Sequence, residues 1–367
     1  MGHEGFTGTS ALLYHVHPPT TVKSVRRVKE MCLEADPDRA LRHRHFLTSK
    51  AKSGGSPTLD RIPMLFNADI AMLYVEPTKQ DEHFYRNAQS DELVYVAKGT
   101  GVLESVFGNL PFGEGDYLVI HRGILHRYVF DVSAEQPKLL VMESRGHVRW
   151  PKRYRNEFGQ LKEGAPYSER DIRRPLELVT RDEMGDFPLL VKQYDGINEI
   201  TLDHHPLDVV GWDGQFYPWA FNINDFEPIV GRVHQPPPVH QTFQGDGFVV
   251  CSFCPRPYDF HPEAVPAPYN HSNVDSDEVL YYASSEFMSR KGIEFGSITH
   301  HPDGIPHGPH PGRAEASIGA KATDELAVMM DTFRPLKVAR QALDIEDPSY
   351  HRSWVDAQHA AFNPPTS

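Results

Sequence analysis

Histidine is the residue type that first suggests chemistry in this sequence, with 21 among 367 residues. His271 and Asn273 stand two apart, so in an extended strand they share a face. Glu278 follows after the length of a turn, and His307 closes a series running through Gly296, Pro302 and Gly304. Two imidazoles and one carboxylate brought to a point form the facial set that holds non-heme Fe(II) and leaves three positions open. A pair of substrate oxygens and dioxygen require those open positions. Mn(II) and Zn(II) accept the same donors, so spacing leaves the metal's identity open. His300, His301 and His310 crowd the same stretch. His301 is a candidate to orient a ligand or to touch substrate, while His300 should face the other way and His310 should meet solvent. Cys251 and Cys254 lie in an apolar run with no second pair to complete a zinc site, and read as buried strand cysteines.

The elements positioning these residues are strands. Apolar residues recur with period two in short β-branched or aromatic runs such as 91–96, 101–106, 116–120, 138–142, 247–250 and 278–282, each bounded by turn residues. The 31 prolines and 27 glycines oppose long helices. Helical spacing is confined to Val22–Ala35 and a turn or two at Leu336–Leu343. The fold class is therefore all-β, a sandwich or barrel, and the length allows two domains. Lys+Arg 37 against Asp+Glu 50 leaves a net charge of −13, which argues against nucleic-acid or anionic-membrane partners. No apolar run is long enough to span a bilayer and no secretory leader is visible, so a cytoplasmic location is expected.

The chain also repeats itself. Ser90-Asp91-Glu92 recurs as Ser276-Asp277-Glu278, with Asn87 and Asn273 in the same register, an offset of 186 residues. Gly123-Ile124-Leu125-His126 is answered by Gly304-Ile305-Pro306-His307, an offset of 181. The unit resembles the cupin barrel, whose second motif is complete at Gly296, Pro302, Gly304 and His307. In the earlier copy, His121 replaces the proline, and Tyr85 and Asn87 stand where the first motif has histidines. The expectation is two cupin (jelly-roll-type) barrels. Residues 1–148 form a degenerate, metal-free barrel containing Glu92 and His126. Residues 149–200 connect it to a metal-binding barrel at 201–335, and 336–367 form a polar tail.

Several stretches resemble the homogentisate 1,2-dioxygenase family. They are 209–218 (VVGWDGQFYP), 222–226 (NINDF), 267–273 (APYNHSN), 306–309 (PHGP), 13–18 (LYHVHP) and 84–87 (FYRN). The resemblance spans most of the chain. It implies Fe(II) on His271, Glu278 and His307, His234 as the base that takes a phenolic proton, with His240 as a weaker claimant, and Tyr269, His301 and Asn273 near the substrate. It implies O2-dependent opening of the ring of homogentisate to maleylacetoacetate in tyrosine and phenylalanine catabolism, and a homo-oligomer, trimeric or hexameric. Ser272 replaces the arginine that usually follows the first ligand, which leaves the anchoring of a substrate carboxylate open. The spacing to the acid is one residue longer than in the family, so Asp277 competes with Glu278; the repeat with Glu92 favours Glu278. A gentisate-like or hydroquinone-cleaving dioxygenase, or a non-catalytic metal- or sugar-binding bicupin, are the alternatives.

Overall fold

The computed structural model describes residues 1–52, 54–133, 135–233, 237–267, 269–285 and 287–356. Strands dominate, and α-helix among the described residues is confined to single turns, at Arg313–Ser317 and at 353–356. None of the described helices is long and apolar enough to cross a membrane.

The first barrel is built from two sheets. One has eight strands in the order Ile172–Arg173, Trp219–Asn222, Asp116–Ile120, Asp91–Lys98, Lys138–Ser144, Ile70–Val75, Ile62–Phe66, Lys337–Val338. The other has seven, including Phe84–Asn87, His126–Phe130 and Gly101–Ser105. The second barrel rests on a six-stranded sheet ordered Gln241–Gly245, Phe248–Phe253, Ala327–Thr332, Asp277–Tyr282, Ser297–His301, Arg44–Leu47.

The eight- and six-stranded sheets pack back to back, and strand alternation sorts their side chains. Leu93, Tyr95, Tyr117 and Val119 from one sheet meet Val279, Tyr281, Ile298, Val328 and Met330 from the other in a shared core. Their neighbours Val94, Val96, Leu118 and Ile120 fill the first barrel. Leu280, Tyr282, Ala327 and Met329 face into the second. Buried on both faces, these strands read as continuous apolar runs.

Two short strands cross between the barrels. Arg44–Leu47 pairs antiparallel with Ser297–His301, and Lys337–Val338 pairs with Ile62–Phe66. The sequence-based boundaries are corrected accordingly. Residues 184–204, divided in the sequence reading between the connecting segment and the second barrel, form a hairpin of Met184–Lys192 with Gly196–His204 that joins Phe84–Asn87. Val22–Ala35 is not helical. Val22–Glu30 is an exposed edge strand on that hairpin, because its valines at 22, 25 and 28 mimic helical spacing while its backbone finds a partner in Gly196–His204. After Lys337–Val338, a 3-10 turn at Arg340–Ile345 stands where a helical turn is expected.

Candidate metal centre

Alternation decides which acid enters the second barrel. Glu278 shares its face with Leu280 and Tyr282, whereas Asp277 lies on the opposite side. Asp277 accepts the backbone N–H groups of Asp303 (2.9 Å) and Leu336 (2.7 Å) and lies 2.9 Å from His300 Nε2. It therefore pins a turn, and Glu278 is the acid that joins the histidines.

His271 and His307 meet on a two-residue bridge, each amide N–H donating to the other's carbonyl at 2.8 Å. Their rings lie 4.3 Å apart, inclined at 63°. Glu278 Oε2 is 3.8 Å from His271 Nε2, and Oε1 is 3.3 Å from His307 Nε2. One donor atom from each of the three residues lies within 4.8 Å of the others, close to the span of one ion with bonds of about 2.1 Å.

The donor chemistry fits a metal. His271 Nδ1 is 3.1 Å from the Tyr269 carbonyl; a proton donated there leaves Nε2 as the lone-pair donor. Buried His307 has only the 3.3 Å contact of Nε2 with Glu278 and no well-formed hydrogen bond there, which leaves that nitrogen's lone pair available to a cation. Burial would raise the Glu278 carboxyl, but His271, His301 and His307 hold it well below its usual range, so it stays charged. Contact with Glu278 raises the His271 imidazole in turn.

His271 and Glu278 open on a cavity of about 650 Å³, with His307 buried behind them. Tyr269, 59% exposed, stands edge-on to His271 at its rim, and Asn273 is on its wall. His240 also lines it, packed on Phe253 at 4.7 Å. His234 lies outside the described residues. Of the two roles expected of His301, its position fits orienting a ligand and not touching substrate. It is fully buried, 2.8 Å from Glu278 Oε1 and stacked on His307 at 4.6 Å, so it orients the acid from behind. His310 departs from solvent exposure: it is buried, accepting from Lys291 N–H at 2.8 Å and 2.9 Å from Ser353 Oγ. Its burial comes from the tail, where Tyr350 and Trp354 pack against it.

Three cavity residues escaped the sequence reading. Asp331 pairs in register with Glu278 on the neighbouring strand and shares the inward face of Ala327 and Met329. Burial, then the charge of Glu278, push its carboxyl up to about 8. Its place two positions on from Met329 was the available signal. Arg256 and Arg290 bring positive charge to the wall. Arg256 bonds Glu325 at 2.8 Å, and Arg290 is buried beside the Gly308 carbonyl.

In the first barrel the corresponding position is filled differently. Arg61 makes a two-pronged contact to Glu92 (2.9 and 2.9 Å) and reaches Glu143 at 3.1 Å, while Tyr85 and Asn87 donate to Glu92 at 3.1 and 3.0 Å. His126 packs edge-on to Tyr85.

Residues 64–223 match the family model described as homogentisate 1,2-dioxygenase N-terminal. A relative from Saccharolobus solfataricus, named provisionally as a dioxygenase, is 43% identical over 96% of this chain and 92% of its own length. Homogentisate 1,2-dioxygenase of Bradyrhizobium diazoefficiens is 26% identical over 71% of this chain, and the match spans 60% of that protein. The human homogentisate 1,2-dioxygenase is 23% identical over 95% of this chain and 84% of its own length. Among solved structures, a cupin 2 conserved barrel domain protein from Leptotrichia buccalis aligns over 81% of this chain and 99% of its own, with 12% identity and a TM-score of 0.35. With a relative this similar along nearly its whole length and a family model covering its first barrel, the chain belongs to the homogentisate 1,2-dioxygenase family of dioxygenases.

Proposed function

We propose that this protein uses Fe(II) and dioxygen to cleave the ring of a dihydroxylated aromatic acid, with homogentisate opened to maleylacetoacetate as the first candidate. The observation that carries this reading is the convergence of His271, Glu278 and His307, two of which, His271 and Glu278, line a cavity of about 650 Å³. A space of that size holds a small aromatic molecule. Fe(II) held there supplies the electron path between ring and dioxygen and acidifies a phenol.

The chain's own residues do the rest. Glu278, kept charged and aimed by His301, fixes the ligand geometry. Phe253, Leu280, Phe287 and Met329 offer an apolar wall to the ring. With Arg256 paired to Glu325, buried Arg290 on the wall is the candidate partner for a substrate carboxylate in place of the charge that Ser272 does not supply. A neutral imidazole, His234 by family resemblance or His240 on the cavity wall, accepts the phenolic proton at a ring nitrogen. Because Ser272 replaces the usual arginine, gentisate and hydroquinones form the second reading. We also infer a homo-oligomer, trimeric or hexameric, which light scattering checks.

The test is an oxygen-electrode trace on protein loaded anaerobically with Fe(II). Homogentisate should consume about one dioxygen per substrate, as ring-opening dioxygenation requires. Uptake with gentisate alone moves the assignment to the second reading, and no uptake with any dihydroxybenzene overturns both. His240→Ala and His234→Ala, each assayed with its iron content measured, show which imidazole takes the proton: the base variant keeps iron and loses turnover.

A further inference from the structure

Each barrel carries an aspartate immediately before its repeat glutamate, and the two have the same backbone duty. Asp277 holds two amide N–H groups and faces one imidazole. Asp91, its counterpart, also holds two, those of Arg122 (2.8 Å) and Val148 (3.0 Å). Around Asp91, however, three imidazoles gather instead of one. His121 Nδ1 and His147 Nδ1 are both 2.9 Å from the same oxygen, Oδ2. His3 Nε2 lies 3.9 Å from Oδ1. One donor atom of each of the four residues falls within 4.8 Å of the other three. The surplus imidazoles are not needed to pin the turn, since Asp277 pins its own with one.

We propose that His3, Asp91, His121 and His147 form a second metal site, distinct from the iron site and closed by four protein donors, which takes a zinc-type divalent cation. Three imidazoles and a carboxylate are a complete tetrahedral shell for Zn(II). The shell is pre-organised: His147 lies 4.1 Å from the His3 ring and 4.5 Å from the His121 ring, and Phe216 packs on both His3 and His121 at 5.1 and 5.2 Å. Backbone amides fix Asp91 from behind, the arrangement that orients metal-binding carboxylates. The side chains of His3 and His147 keep 14% and 18% exposure, which leaves a path of entry.

The site ties the start of the chain to the barrel. His3 belongs to a short loop whose amide N–H donates to the Thr9 carbonyl and whose terminal ammonium reaches the Ala11 carbonyl at 2.7 Å. Asp91 and His121 flank the inner strands, and His147 follows Lys138–Ser144. A cation at this point therefore staples the leading loop to three separate segments.

The experiment uses full-length protein stripped of metal, with His307→Ala to remove the iron site, dialysed against Zn(II) and assayed by elemental analysis and calorimetry. The expected result is about one zinc per chain in His307→Ala, lost when His147→Ala or His3→Ala is added. Co(II) in the same background should give the intense visible bands of a tetrahedral site. Because His3 sits on a partly exposed loop, His3→Ala also serves in the otherwise unmodified chain, where zinc should drop by about one equivalent with the circular dichroism unchanged. No zinc in His307→Ala, or equal zinc with and without the His3 and His147 substitutions, overturns the proposal. Failure of the dioxygenase reading would leave these counts untouched, since none of them measures turnover.

Discussion

Arg61 stands against Glu92 as a cation would stand against Glu278 in the other barrel. Its guanidinium is buried, and burial, which alone would lower it, is outweighed by Glu92, so it stays charged. Truncating one partner of such a pair strands the other. Arg61→Ala should cost about 3–5 kcal/mol, read as a lower urea midpoint with unchanged slope; a cost under about 1 kcal/mol would show that water reaches Glu92. Asp81 is a second buried acid with a different balance. Burial pushes its carboxyl up to about 6, and the hydroxyls of Ser56 (2.6 Å) and Thr58 (3.1 Å) only partly offset this. Below about pH 4 both folded and unfolded chains hold the proton, so Asp81 costs nothing there. From about 4 to 6 the unfolded chain ionises first, and stability falls as pH rises. Above 6 the cost is constant at about 2–3 kcal/mol. Asp81→Asn keeps an acceptor for both hydroxyls. It should therefore stabilise the protein at pH 7 by up to that amount and not at pH 4, and an equal effect at both pH values would refute the assignment.

At the scale of elements, the strand Arg44–Leu47 does the least expected work. Phe46 on it is fully buried in the core between the sheets, and Arg44 is held by Asp36 (3.1 Å) and Glu346 (3.0 Å). Phe46→Ala should cost about 3–5 kcal/mol. Because the strand flanks Ser297–His301, whose His301 orients Glu278, the substitution should also weaken iron retention in a competition with a chelator; full retention would mean that Ser297–His301 stands without its edge. No local pattern announces this strand, since its partner lies some 250 residues on and pairing depends on edges, not on propensity. The ligand strand was legible, by contrast. Ser276-Asp277-Glu278 echoes Ser90-Asp91-Glu92, and alternation then separates Asp277 from Glu278. Arg61 was invisible because it reaches its glutamate from a distant segment, a proximity that spacing along the chain does not encode, and for Asp331 alternation with Met329 gave the inward face but not the pairing with Glu278. The valines of Val22–Glu30 misled for the opposite reason: their spacing was real, but an available sheet edge outweighed it.

At the scale of the molecule, the shared core joins the two barrels into one cooperative unit. Leu93 and Tyr95 from one sheet and Val279 and Tyr281 from the other are buried in the same cluster, so neither half keeps its outer face dry alone. Calorimetry on metal-free protein should show one transition, with calorimetric and van't Hoff enthalpies agreeing; two resolved transitions would mean that the barrels unfold separately. Family membership was readable from motifs in both halves, but the interlocking was not, because it rests on the two exchanged edge strands.

That exchange constrains how such chains can be recombined. A chimera spliced once in the segment between the barrels would seat each parent's edge strand on the other parent's sheet, at 44–47 and again at 337–338. Working hybrids with a relative must move the second barrel together with 44–47 and leave 337–338 with the first barrel, which takes crossovers on both sides of 44–47, one in the linker and one before residue 337. Gene fusion or domain shuffling at the visible seam alone would give mismatched borders.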